Sequence, residues 1–217
     1  MTRVVSSGEL VHIGSDNVRL AGMLELPPHP CGLVLFAHGS GSGRLSPRNN
    51  YVAGELRRAR LGTLLLDLLS RDEERDESRR FDIALLGARL ADAARWLAQQ
   101  PQTQGLALGL FGASTGAAAA LQVAADHPEQ IAAVVSRGGR PDLVDADELA
   151  RVRAPTLLIV GGEDQTVVEL NRQALRLLSS EKELALVRGA THLFEEPGAL
   201  AEVARLAVRW FKGYLGA

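Results

Sequence analysis

Residues 106–126, LALGLFGASTGAAAALQVAAD, decide how this chain is read. The first part is an apolar run of the kind that forms a strand buried on both faces. The second part is rich in alanine, the best helix former, and stops before His127 and Pro128. Between them stand Gly112, Ala113, Ser114, Thr115 and Gly116. A strand passing directly into a helix must turn sharply. Glycines on both sides of Ser114 allow strained backbone angles and a close approach of helix to strand. Such a turn lifts the Ser114 hydroxyl out at the top of a sheet. The competing reading makes Ser114 an ordinary helix cap, a position that serine favours. The rest of the chain has to decide.

Working outward, buried-strand runs recur at 32–37, 62–68, 105–111, 131–136, 156–162 and 183–189. Segments 9–13 and 18–26 alternate in part around Gly14, Ser15, Asp16 and Asn17, which suits an antiparallel hairpin. Helical periodicity appears at 81–100, where Ile83, Leu86, Leu90, Ala94 and Leu97 share a face, and again at 115–126 and 167–178. The stretch 200–211 adds Val203, Leu206, Trp210 and Phe211. Apolar strands alternating with helices predict one α/β domain, a parallel sheet with helices on both faces. No repeat or linker divides it.

With 217 residues, 46% of them hydrophobic, and a net charge of −2, the chain has an ordinary globular profile. It lacks the basic footprint of a nucleic-acid binder. Residues 1–20 show no leader pattern, and no run approaches the ~20 apolar residues of a membrane span. Cys31 stands alone and can form no internal disulfide. A cytoplasmic protein is the simplest expectation. The basic residues are almost all arginine, with only Lys182 and Lys212 as lysines, which points to a GC-rich bacterial source.

In a sheet of this kind ligands gather beyond the carboxyl ends of the strands. A serine nucleophile needs a base there, usually histidine held by a carboxylate. His12, His29 and His127 sit in positions that suit surface or structural roles. His38 ends a strand before a glycine, which puts the weight on its backbone. His192, in RGATHLFEEPG, follows the last strand and is the best base. Asp164 follows the strand ending at Val160 through a glycine turn, with Glu163 the neighbouring alternative and a solvated loop acid the plain one. The order Ser114, Asp164, His192 is that of one serine-hydrolase architecture and differs from the others.

On these residues, and on FAHGSGSGRLSPRN (36–49), SRGGRPDL (136–143), LLIVGGEDQTV (157–167) and GATHLFEEPG (189–198), the chain resembles the α/β-hydrolases, more narrowly the dienelactone hydrolase-like group. The resemblance covers nearly the whole sequence. It implies an eight-stranded, mostly parallel sheet with an antiparallel second strand, while the short stretch 137–151 after the sixth strand leaves no room for a large cap there. It also implies an oxyanion hole from the backbone N–H groups of Ser40 and Thr115. Dienelactone hydrolases proper use cysteine where this chain has Ser114, which favours a general carboxylesterase over a dienelactone hydrolase. Similar domains also occur fused to phosphoribosyltransferases.

The glycine-rich loop after residue 37 has a rival reading as a dinucleotide phosphate cradle with Asp67 as the ribose acid. That motif needs glycine at 44 or 46, where Arg44 and Ser46 stand. No cofactor and no metal motif is expected. The expected reaction is hydrolysis of small or accessible carboxylic esters through an acyl-enzyme. A thioesterase or amidase using the same triad, and a non-catalytic binding module, are the alternatives. Arg137 and Arg140 stand at the ligand edge and could grip a substrate carboxylate or phosphate, or pair with acids such as Asp142. The charged run 71–80 reads as a solvated segment that could shape the pocket rim. The C-terminal residues 210–217 could pack on their own domain or on a partner, which leaves a homodimer open.

Overall fold

Alternating exposed and buried side chains fold β1 (Glu9–Ser15) back onto β2 (Val18–Glu25), with Asp16 at φ +48° in the turn. Five strands are buried almost throughout: β3 (Leu33–Ala37), β4 (Gly62–Leu66), β5 (Leu108–Ala113), β6 (Ile131–Arg137) and β7 (Thr156–Gly161). At one edge, β8 (Lys182–Val187) stays half exposed. These elements come from a computed structural model that describes residues 8–216. Residues 1–7, part of the stretch read for a leader, lie outside the described residues.

The eight strands form one sheet in the order β1-β2-β4-β3-β5-β6-β7-β8. Strand β2 is antiparallel to both neighbours, and every pairing from β4 to β8 is parallel. The carboxyl ends of β3, β5, β6, β7 and β8 therefore share one edge, with β5 near the middle.

Helices cover both faces. On one lie α1 (Pro47–Arg58) and α7 (Ala199–Leu215). On the other lie α3 (Ile83–Gln99), α4 (Thr115–Asp126), α5 (Ala146–Arg151) and α6 (Gln165–Leu177). The short α2 (Glu77–Arg80) precedes α3. Helix α4 is buried on all sides, which its small side chains permit; Ala117 to Ala120 are fully enclosed. Trp210 and Phe211 are buried within this same domain, and Trp210 Nε1–H donates to the Pro155 carbonyl. No helix among the described residues is long and apolar enough to cross a membrane.

Candidate active site

Strand β5 carries Ser114 to the centre of the carboxyl edge. Ser114 adopts φ +50° and ψ −117°, a region that side-chain-bearing residues avoid. Close packing enforces the turn. A Cβ on Gly112 would lie 2.4 Å from Ala117 Cα, and one on Gly116 would lie 2.3 Å from the Ala37 carbonyl oxygen. Both positions therefore require glycine. The Ser114 N–H donates to the Arg137 carbonyl at 3.2 Å, and the Ser114 carbonyl accepts from the N–H groups of Ala117 and Arg140. Although Ser114 stands at the N-cap of α4, its side chain makes no capping hydrogen bond, and the residue is only half buried. The plain capping reading does not describe it.

Asp164 leaves β7 at the N-cap of α6 and divides its carboxylate between two partners. Oδ1 accepts from the Val167 N–H at 3.4 Å, and Oδ2 lies 2.7 Å from His192 Nδ1. A carboxylate can only accept, so Nδ1–H is the donor and Nε2 is left as the basic nitrogen. Glu163 is exposed beside it. The His192 side chain is 39% exposed and that of Asp164 16%, so the pair lies at the surface end of the site with its carboxylate sheltered. The imidazole packs against Gly138, where an added Cβ would sit 3.4 Å from Cε1. Ser114 and His192 thus both abut the Arg137–Gly138 stretch at the end of β6.

The loop after β3 is held from two sides. The His38 ring is buried: Nδ1 is 2.9 Å from the Gly39 carbonyl, and Nε2 accepts from the Leu68 N–H at 2.9 Å. His38 therefore contributes its ring as well as its backbone, tying β3 to the end of β4. Asp67 accepts from the Arg44 N–H at 2.6 Å and pairs with the Arg44 guanidinium. This engagement occupies the acid that the dinucleotide reading required. The N–H of Ser40 donates to Thr115 Oγ1 at 3.0 Å. The structure brings Ser40 and Thr115 together, with the Ser40 donor turned onto the Thr115 side chain. The Thr115 N–H, at the first position of α4, has no acceptor within its helix.

The segment 71–80 is anchored rather than loose. Glu73 accepts from Arg79 and from buried Arg89, each at 3.0 Å, and from the Ser70 N–H at 2.8 Å. Burial raises the Glu73 carboxyl, but the Ser70 bonds and the two arginines outweigh it and hold the group below the usual carboxylate range. Glu74 and Arg80 border a small recess beside His38, Ser40 and Thr115.

The two edge arginines separate. Arg140 is clamped by Asp142 through two bonds of 2.8 and 2.7 Å, so the ion-pair reading describes it and its guanidinium is not free. The same hydrogen bonds hold Asp142 below its ordinary value. Arg137 is buried with its guanidinium over the Phe194 ring. Burial, with a smaller push from Arg48, draws it down to about 10, which leaves it charged at neutral pH.

Three supporting residues had escaped the sequence reading. Asn171, fully buried on α6, donates to the Gly139 carbonyl at 3.0 Å. Glu196 accepts from the Thr191 N–H at 3.1 Å and braces the His192 loop. Phe194, two residues after His192 in the same loop, is buried. Of these, Asn171 carried a signal: a polar residue on the stripe Val167, Val168 and Ala174.

A crystal structure of a dienelactone hydrolase from Anabaena variabilis superposes with a TM-score of 0.93 at 53% identity, covering 96% of this chain and 98% of that one. The esterase domain of a Rhodothermus marinus protein shares the fold at TM-score 0.76 and 21% identity, over 97% of this chain and all (100%) of that one. A Mycobacterium tuberculosis protein, provisionally named a phosphoribosyl transferase, is 55% identical over 207 residues. That match takes in 95% of this chain but 46% of the relative, so the chain spans about half that protein's length. The model of the dienelactone hydrolase family matches residues 70–213, from the segment after β4 almost to the end of α7. With the eight-stranded sheet and the serine turn on its central strand, this chain belongs to the dienelactone hydrolase family.

Proposed function

We propose that this chain is a serine hydrolase that cleaves small or accessible carboxylic esters through an acyl-enzyme. One observation carries the reading. Ser114 is held in a strained turn at a helix N-terminus with its hydroxyl withheld from capping, and a histidine already oriented by a carboxylate packs against the same Arg137–Gly138 stretch that holds the turn.

In this reading His192 Nε2 takes the Ser114 proton as Oγ attacks the ester carbonyl, and Asp164 stabilises the imidazolium that forms. The N–H groups of Thr115 and Ser40 receive the oxyanion, the latter keeping Thr115 Oγ1 as the second acceptor that aligns it. The positive end of the α4 dipole favours the same charge. His192 then protonates the leaving alcohol, and water repeats the sequence on the acyl group. No cofactor takes part. The connection from β6 to β7 runs through α5 with no inserted cap, which favours short or accessible substrates. The phosphoribosyl transferase name belongs to a protein about twice as long and is not carried over.

The test is labelling with a fluorophosphonate, with the site located by mass spectrometry. Modification of Ser114 that vanishes in Ser114→Ala is the expected result. A folded wild-type protein that takes no label would overturn the reading. A panel of matched oxygen esters, thioesters and amides then separates the three acyl classes.

A further inference from the structure

We propose that Arg137 is a positioning residue that ties the nucleophile's turn to the loop of the base. The inference rests on the hydrolase reading above and adds a residue that acts through others.

Its main chain serves the nucleophile: the Arg137 carbonyl accepts the Ser114 N–H at 3.2 Å. The next residue, Gly138, takes φ +52°, donates its N–H to Ile159 at 2.7 Å and lies against the His192 ring. The side chain serves the base. Its guanidinium carbon stands 5.7 Å from the centroid of Phe194, two residues beyond His192. Nε and Nη1 are buried without a hydrogen-bond partner, so this cation is held by packing against a ring rather than by an acid.

Phe194 needs such a hold. It is 2% exposed and sits at φ +55°, a conformation that aromatic residues seldom adopt and that persists only where its surroundings impose it. The adjacent Glu195 pairs with Arg48 at 3.0 Å. A planar guanidinium can lie against a ring face while burying its stem. An ammonium offers a compact, strongly hydrated charge and no plane. If Phe194 relaxed, His192 would shift relative to Ser114, and misplacement by about 1 Å costs up to about a hundredfold in rate.

The experiment uses Arg137→Lys, Arg137→Met, Phe194→Leu and the double variant Arg137→Lys with Phe194→Leu. Each is read by kcat and KM on a short-chain p-nitrophenyl ester. Each is also read by the low-field proton resonance of His192 Nδ1–H, which needs no turnover. The expected result is a fall in kcat of about tenfold or more with KM changed less than about twofold. The resonance should broaden through faster exchange with water. The double variant should lose no more than the worse single one, since both changes break one contact.

Wild-type kcat and an unchanged resonance in both Arg137 variants would overturn the proposal, as would losses that multiply in the double variant. Should an Arg137 variant fail to fold, Phe194→Leu carries the same comparison. A wild-type protein that hydrolyses no ester sinks the hydrolase reading alone, because the resonance still reports whether the tie exists.

Discussion

The two oxygens of Asp164 do separate jobs, and substitutions can part them. Asn at this position keeps a side-chain oxygen for the α6 cap, a role it fills about as well as Asp. It presents an NH2 group to His192 Nδ1, however, which favours the tautomer with the proton on Nε2, where it cannot accept from Ser114. Asp164→Asn should therefore melt close to wild type while kcat falls by about 10⁴. Asp164→Ala should show the same catalytic loss and about 1 kcal/mol less stability, because the cap goes as well. Paired melting curves and ester turnover check both, and an Asn variant keeping a tenth of the activity would remove Asp164 from the triad. Thr115 poses a finer question. Its hydroxyl holds the Ser40 N–H at 3.0 Å, and Thr115→Val keeps the shape without the acceptor. The donor then loses its alignment but remains present. We expect kcat/KM to fall about tenfold, short of the 10²–10³ that follows outright deletion of such a donor. Thr115→Ser should restore it.

At the scale of elements, the anchored segment 71–80 has a pH signature. The Glu73 carboxyl lies below its ordinary 4.5, so its contribution is fully present above that value and is lost as pH falls through the lower folded value. Hydrogen-exchange protection in 71–80, taken relative to the intrinsic exchange rate at each pH, should fall as pH drops below that ordinary value. In Glu73→Gln it should be fast already at neutral pH, because buried Arg89 then loses its charged partner. Equal exchange in both proteins at neutral pH would show that the anchor lies elsewhere. The anchoring was illegible in the sequence because the partner, Arg89, lies well outside the charged run, and only the packing of α3 brings it back. What was legible followed from unbroken patterns. The apolar runs at β3, β4, β6 and β7 ended within about two residues of their observed bounds, and α4 matched at both ends. Strand β5 starts three residues and ends two residues later than the run 105–111, the end because Gly112 and Ala113 belong to the strand before the turn. Helix α1 was missed altogether. Its buried positions Asn49, Val52, Ala53 and Leu56 include a polar residue, and Gly54 interrupts it, although Ser46 as cap and Pro47 in the first turn were both available as signals. The Asp164–His192 pairing could be anticipated from strand ends together with the chain-order pattern, with Glu163 left as the alternative. The turning of Ser40 N–H onto Thr115 could not, since it depends on loop geometry that no periodicity encodes.

At the scale of the whole molecule, α7 decides whether the C-terminal residues serve this fold or a partner. Phe211 is fully buried, and its ring fills the space that a side chain at Gly109 would take, 2.6 Å from the position of an added Cβ. Leu215 reaches Gly32 at the start of β3 in the same way. The helix thus lies directly on the backbone of the two strands that lead to the loop after β3 and to Ser114. Emptying the Phe211 site cannot be repaired by a small movement, because β5 is pinned between β3 and β6. Phe211→Ala should cost about 3–5 kcal/mol. For a chain of this size that lowers Tm by about 2–4 °C per kcal/mol. Since the ring packs only within its own domain, the loss should be the same at low and high protein concentration. A contact made to a second chain would instead give a deficit that changes with concentration, because mass action then sets how much of the partner's contribution is present. Thermal melts of wild type and Phe211→Ala across a dilution series distinguish the two, and a deficit that varies along the series would place the C-terminal residues on an interface instead of in the core.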